Sequence, residues 1–142
     1  MSDREPGRVP TADEAARLLA SQRVVVELFR CIDAGDLDGA LALYADDAVF
    51  RGAEGRAAIR AVVVKGLAPN ADRRSRHVIG NLRAEIVGVD GAVVRYTAVT
   101  YTLDGPGPYA PRSVLDQEQQ HRVEPDGIVR IVRHDIPGLP DA

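Results

Sequence analysis

Tryptophan is absent from this chain, phenylalanine occurs only twice, and a single cysteine and a single methionine complete a sparse set of large or reactive side chains. Two phenylalanines and no tryptophan are lean for a module that binds partners through exposed aromatics. One cysteine, Cys31, excludes a disulfide framework. It lies among apolar helical positions and reads as a small buried hydrophobe. No apolar run is long enough to span a bilayer, and no signal-peptide pattern is seen. No charge dominates either: the net charge is −3 and the pI near 5.6, so nothing draws the chain to nucleic acid or an anionic membrane. Arg73, Arg74 and Arg76 are the only basic cluster, and they read as a solvated loop. His77, His121 and His134 have no tight ligand spacing and no cysteine beside them, so no metal is expected. The default compartment is the cytoplasm.

What is present is one ordinary globular domain. The 142 residues are 45% hydrophobic, enough for a core. Residues 1–10 carry Pro6, Gly7 and Pro10 among charges and read as a flexible tail. The single domain spans residues 11–136, and 137–142 form a C-terminal tail. Thr11 followed by Glu14 is a capping box, opening a helix over about Ala12 to Ala34. Leu18, Leu19, Val25, Leu28, Phe29 and Ile32 give it an apolar face. Gly35 suits the left-handed residue past its end, and Asp36 can cap the next helix, Leu37 to about Tyr44. A strand around Ala48–Arg51 follows. Glu54-Gly55-Arg56 opens a third helix with Ala58, Ile59, Val62 and Val63 inward, stopped by Gly66 and Pro69. Residues 70–76 read as a polar loop.

The remainder alternates as strands: His77–Gly88, Ala92–Leu103, Val114–Glu124 and Ile128–Ile136. Asp90-Gly91 and Pro125-Asp126-Gly127 are turn signals between them. Helices first and an antiparallel meander last is an α+β order. One strand parity conflicts with the rest. Leu82, Ala84 and Ile86 share a face, and His77 falls on the other; a bulge around Gly80 or Asn81 would return it.

Three segments carry a family resemblance: Asp33–Phe50, Glu54-Gly55-Arg56-Ala57-Ala58-Ile59-Arg60, and Arg76-His77-Val78-Ile79-Gly80-Asn81. Together they resemble the SnoaL-like (polyketide cyclase) branch of the nuclear transport factor 2 superfamily, over about Thr11 to Asp135. The resemblance implies a cone, with three N-terminal helices packed on a strongly curved antiparallel sheet. The third segment is similar to the scytalone dehydratase-like subgroup. There an Asp near the end of helix 1 and a His opening this strand face one cavity; the matching positions are Asp33 and His77. Other relatives' machinery is missing. The ketosteroid isomerase positions fall near Leu28, Gly52 and Gln119, none of which can serve that mechanism. The Arg-x-Asp pair of limonene-type epoxide hydrolases meets Arg95 and Thr97. A second strand histidine of scytalone dehydratase falls near Thr102.

The resulting expectation is cofactor-independent acid/base chemistry on a hydrophobic small molecule, a dehydration or cyclisation of a polyketide-like or aromatic intermediate. The alternative is a non-catalytic binding or accessory protein of the same fold. His77 is the expected acid or base, since an imidazole moves protons near neutral pH. Asp33 is its expected orienting partner, because a carboxylate at a helix C-terminus is poorly placed without one. His121, His134 or a tyrosine would supply the second proton position. Leu115 and Val123 share parity with Gln117, Gln119 and His121, so this face is either the cavity interior or a wet dimer surface. Tyr44, Phe50, Asn81, Val94, Tyr96, Ala98, Gln119 and His134 are the expected substrate wall. The sheet leaves an outer face carrying Arg83, Glu85, Arg95 and Tyr101, and the resemblance implies that it pairs with a second copy as a homodimer.

Overall fold

In the computed structural model, which describes residues 5–66 and 74–142, the chain begins with one long helix and ends in a four-strand meander. Helix α1 runs Ala12–Ala34. Its capping box is made on both sides: Glu14 N–H donates to Thr11 Oγ1 at 3.2 Å, and Thr11 N–H donates to Glu14 Oε1 at 3.1 Å. Gly35, at φ 72°, turns the chain out of the helix. Asp36 then caps α2 (Leu37–Ala42) through Gly39 N–H at 2.9 Å.

The second helix is shorter than its periodicity predicts. Tyr44 keeps helical spacing but belongs to strand β1 (Tyr44–Phe50). Two tertiary bonds outweigh local preference there. Its hydroxyl reaches a buried histidine, and its carbonyl accepts from Arg56 Nε at 2.8 Å. Ala53–Glu54 form a two-residue strand, β2, folded back on β1. Helix α3 (Gly55–Gly66) therefore starts one residue later than expected. Ile59 and Val63 are buried in it, whereas Ala58 is exposed; on α1, Leu19 is likewise exposed.

The strands β3 (Arg74–Val87), β4 (Gly91–Leu103), β5 (Pro111–Val123) and β6 (Val129–Asp135) form the antiparallel meander. β3 already includes Arg74–Arg76, which the sequence places in a loop; the stretch 67–73, with Pro69 and Arg73, lies outside the described residues, as do residues 1–4. The sheet order is β2-β1-β6-β5-β4-β3. β1 runs parallel to β6, so the sheet is mixed rather than purely antiparallel. A parallel neighbour requires a long crossover, and α3 with the whole meander supplies it.

The helices cover one face of this sheet. Val25, Leu28, Ala40, Tyr44, Ala45, Ala48, Ile59, Val94 and Ile131 are all essentially without exposure and make the core. Arg17 is buried too, and its guanidinium ties α1 to the β3–β4 turn through Gly88 O at 3.0 Å and Gly91 O at 3.2 Å. Residues 137–142 are coil, yet they dock. Arg51 Nη2 donates to Pro140 O at 2.9 Å, and Ala142 N–H donates to Arg51 O at 2.8 Å. Among the described residues no helix is long and apolar enough to cross a membrane.

Gly35 sets the angle between α1 and α2, and its positive φ is where a side chain is strained. Gly35→Ala is expected to lower unfolding free energy by ~1–2 kcal/mol, and Gly35→Asn by less, because asparagine tolerates this region better. Urea denaturation checks it; equal midpoints for wild type and the alanine variant would contradict the assignment.

Candidate active site

The end of α1 meets the start of β3 at Asp33. One carboxylate oxygen, Oδ1, lies 2.6 Å from His77 Nδ1 and accepts the Ser75 hydroxyl at 3.2 Å. The other, Oδ2, accepts the His77 backbone N–H at 2.8 Å. A carboxylate only accepts, so the proton sits on His77 Nδ1. In the neutral ring Nε2 then carries the lone pair. Phe29, one turn before Asp33, packs against the imidazole with ring centroids 4.9 Å apart. The pair is only partly covered, with side-chain exposure of 15% for His77 and 11% for Asp33.

His77 reaches this position because β3 bulges. Pairing with β4 slips between Gly80 and Arg83, and Asn81 takes the left-handed region at φ 52°. Before the slip Ser75, His77 and Ile79 face the helices; after it Leu82, Ala84 and Ile86 do. Asn81 itself is a correction. It is exposed, and it lines a groove of about 600 Å³ whose wall includes Arg83, Arg95, Tyr96, Asp116, Gln117 and Glu118 but neither Asp33 nor His77. It is not part of the inner wall.

A second polar group lies deeper. Gln117, Gln119, His121 and His134 are buried on the inner face, as the interior reading of β5 requires. Their hydrogen bonds fix one another. Gln119 Oε1 can only accept, so His121 Nε2 donates to it at 2.7 Å. Gln119 Nε2 donates to the Tyr96 hydroxyl at 2.7 Å, and that hydroxyl donates to Gln117 Oε1 at 2.9 Å. His134 Nε2 donates to the same Gln117 oxygen at 2.7 Å. His134 Nδ1 is then bare and accepts the Tyr44 hydroxyl at 2.8 Å. Phe50 stacks on His134 at 4.4 Å. The chain of bonds ends at His121 Nδ1, a buried acceptor without a partner among the described residues.

Burial controls the charge of this group. His134 is pushed down to about 3, first by desolvation and then by His121. His121 is pushed down to about 4 by desolvation. Burial drives the Tyr44 and Tyr96 hydroxyls far up, so both stay protonated. Such rings are fixed hydrogen-bonding parts, poorly suited to exchanging protons at neutral pH.

The structure thus separates the predicted site residues. Asp33 and His77 meet. Tyr44, Phe50, Tyr96, Gln119, His121 and His134 form the deeper group, and Val94 and Ala98 are fully buried core. His121 does not serve as a second proton position for His77. It pairs with Ala92, whereas His77 pairs with Thr100, eight residues along β4 and roughly 25 Å of strand away. Ser75 and Phe29 are additions to the dyad. Ser75 shares His77's parity, a signal hidden when β3 is taken to start at His77. Among the described residues no three His, Cys, Asp or Glu side chains gather as a metal site.

Comparison with known proteins bears on the family and the fold. The family model of the SnoaL-like domain matches residues 13–134, and the chain belongs to that family. Among solved structures it is similar to Aln2 from a Streptomyces species, at 16% identity and TM-score 0.78, covering 91% of this chain and 93% of that one. It is also similar to ActVI-ORFA from Streptomyces coelicolor, at 14% identity and TM-score 0.74, covering 85% and 97%. A third is a Catenulispora acidiphila protein solved in complex with S-DNPA, at 16% identity and TM-score 0.74, covering 86% and 92%. At these identities the likeness is one of fold. No curated protein matches the sequence.

The two depressed histidines make an acid prediction. Folded, they resist protonation; unfolded, they take a proton near the ordinary ~6.5. Below that value the unfolded state binds more protons, so stability is full above pH 6.5 and falls as pH drops towards about 4 for His121 and about 3 for His134. Urea midpoints should decline between pH 6.5 and 5, and His121→Gln should reduce the slope by about one bound proton. The same slope in wild type and variant would show that His121 titrates normally.

Proposed function

We propose that this chain is a cofactor-independent acid/base enzyme, a dehydratase or cyclase acting on a hydrophobic, polyketide-like or aromatic small molecule. The observation that carries the reading is the Asp33–His77 contact at 2.6 Å, which leaves Nε2 as a free base. In a dehydration, Nε2 would take the proton from a carbon next to a carbonyl, leaving an enolate. The same imidazolium would then give that proton to the β-hydroxyl, which departs as water. Asp33 stabilises the imidazolium between the two steps and holds the ring in one tautomer. Proton abstraction without elimination would instead allow the enolate to attack a second carbonyl within the ligand, closing a ring. Phe29 and Tyr96, in edge contact at 5.8 Å, supply an apolar wall.

Turnover of β-hydroxy aryl ketones, followed by mass spectrometry as loss of water, tests the reading. His77→Ala should lose ~10²–10⁴-fold in kcat, the usual scale of a positioned acid or base, and Asp33→Asn less. Both variants should keep wild-type circular dichroism. Full turnover in His77→Ala would remove the mechanism and leave the ligand-binding reading in front.

We also propose that the chain is a homodimer through its outer sheet face. Val78, Val99 and Val114 sit directly opposite one another across three strands on that face, with Val78 and Val114 more than half exposed. Four residues along the same strands, Arg95 is paired with Glu118 at 2.9 Å, so both charges are at hand for a self-complementary contact. Light scattering at high micromolar concentration should give twice the chain mass, and Val78→Asp with Val114→Asp should give the single-chain mass. A wild-type monomer would exclude this pairing.

A further inference from the structure

The dyad is one end of a polar row that crosses the inner sheet face. His77 on β3 stands directly opposite Thr100 on β4, and Thr100 directly opposite Ser113 on β5. Directly paired residues of an antiparallel sheet project from the same face, with Cβ atoms ~4.5–5.5 Å apart. His77 projects towards α1, where Asp33 holds it, so Thr100 and Ser113 project to that side as well.

Thr100 is only 5% exposed, and its hydroxyl makes no hydrogen bond with the described residues. The oxygen is not among the buried side-chain atoms left without a partner, so it is not sealed in the core and remains open to a guest. Ser113, half-buried, is likewise without a partner among those residues. Packing does not require hydroxyls at these places. The next row inward, Ile79, Ala98 and Leu115, is apolar on all three strands. It separates the hydroxyls from the Tyr96–Gln117 group and leaves them in one row with His77.

We propose that Thr100 and Ser113 form an oxygen-binding subsite that seats the ligand against His77 Nε2. Their spacing, one strand apart at ~4.8 Å, fits a ligand bearing oxygens on alternate carbons of a ring or chain. Thr100 holds the oxygen nearer the reacting carbon, and Ser113 holds the one beyond it. The subsite rests on the reading of the inner face as a small-molecule site, and it selects among hydrophobic ligands by their oxygen pattern.

Affinity for two probes tests this: naphthalene-1,3-diol, and naphthalene without oxygens, each titrated by NMR into the full chain. Wild type should bind the diol more tightly than naphthalene. Thr100→Val keeps shape and strand preference while deleting the hydroxyl. It should weaken diol binding about three- to tenfold, as expected for one neutral hydrogen bond, and leave naphthalene unchanged. Thr100→Ser should restore the diol affinity, which a packing defect would not allow. If both probes bind, and Thr100→Val weakens neither or both alike, the subsite is overturned while the small-molecule reading stands. If wild type binds neither probe, the subsite and that reading fall together.

Discussion

A β-strand sends alternate side chains to opposite faces, and a shift of one residue exchanges every one of them. β3 must bury Leu82, Ala84 and Ile86 under the helices and also present His77 to Asp33 on the same side. Regular pairing cannot do both. The slip between Gly80 and Arg83 resolves the conflict, with Asn81 absorbing it at φ 52°. A left-handed residue costs ~1–2 kcal/mol for most side chains and less for asparagine, whose short amide tolerates the region. The bulge is therefore the least costly point at which a long core strand can also deliver a polar group to the helix end. Everything upstream of it, including Ser75, His77 and the pairing with Thr100, takes its facing from this one irregularity.

Asp33 is the second constraint, and magnitudes decide its role. A negative charge in the last turn of a helix is opposed by the helix dipole, at ~0.3–1 kcal/mol. Three hydrogen bonds from β3 end on its carboxylate. Bonds to a charged group are worth ~1.5–3 kcal/mol each, so they exceed the dipole penalty several times over. The same bonds fasten α1 to the edge strand of the sheet. A single side chain thus closes one end of the fold and orients the imidazole, and its removal would act on both.

Much of this is legible in the sequence, because the signals are local. Thr11, Glu14 and Gly35 announce both ends of α1 by capping chemistry, and the bounds Ala12–Ala34 follow from them. The parity clash at His77 points to the bulge. What is not legible depends on distant partners. Tyr44 has helical spacing with Leu37 and Leu41, yet its hydroxyl bond to His134, ninety residues away, draws it into β1. The parallel seat of β1 beside β6 has no local signature either. Asn81 is misplaced by sequence because the motif containing it is contiguous while the bulge splits it between two faces. His121 joins His77 on chemistry alone; only the β4 register shows the distance between them.

The two polar centres obey opposite rules, and the difference bears on which can do chemistry. In the deeper group nearly every donor finds an acceptor, and burial holds both histidines neutral. A satisfied network of this kind specifies one arrangement of a core and resists change, since breaking one bond strands its neighbours. At the helix end the order is reversed. His77 is fixed on one nitrogen and open on the other, and the hydroxyls of Thr100 and Ser113 beside it are unpaired among the described residues. Proton transfer requires a group whose bonding is incomplete until a ligand arrives. By that criterion the row beginning at His77 is where the proposed chemistry fits, and the inner histidines suit a structural part in the core beneath it.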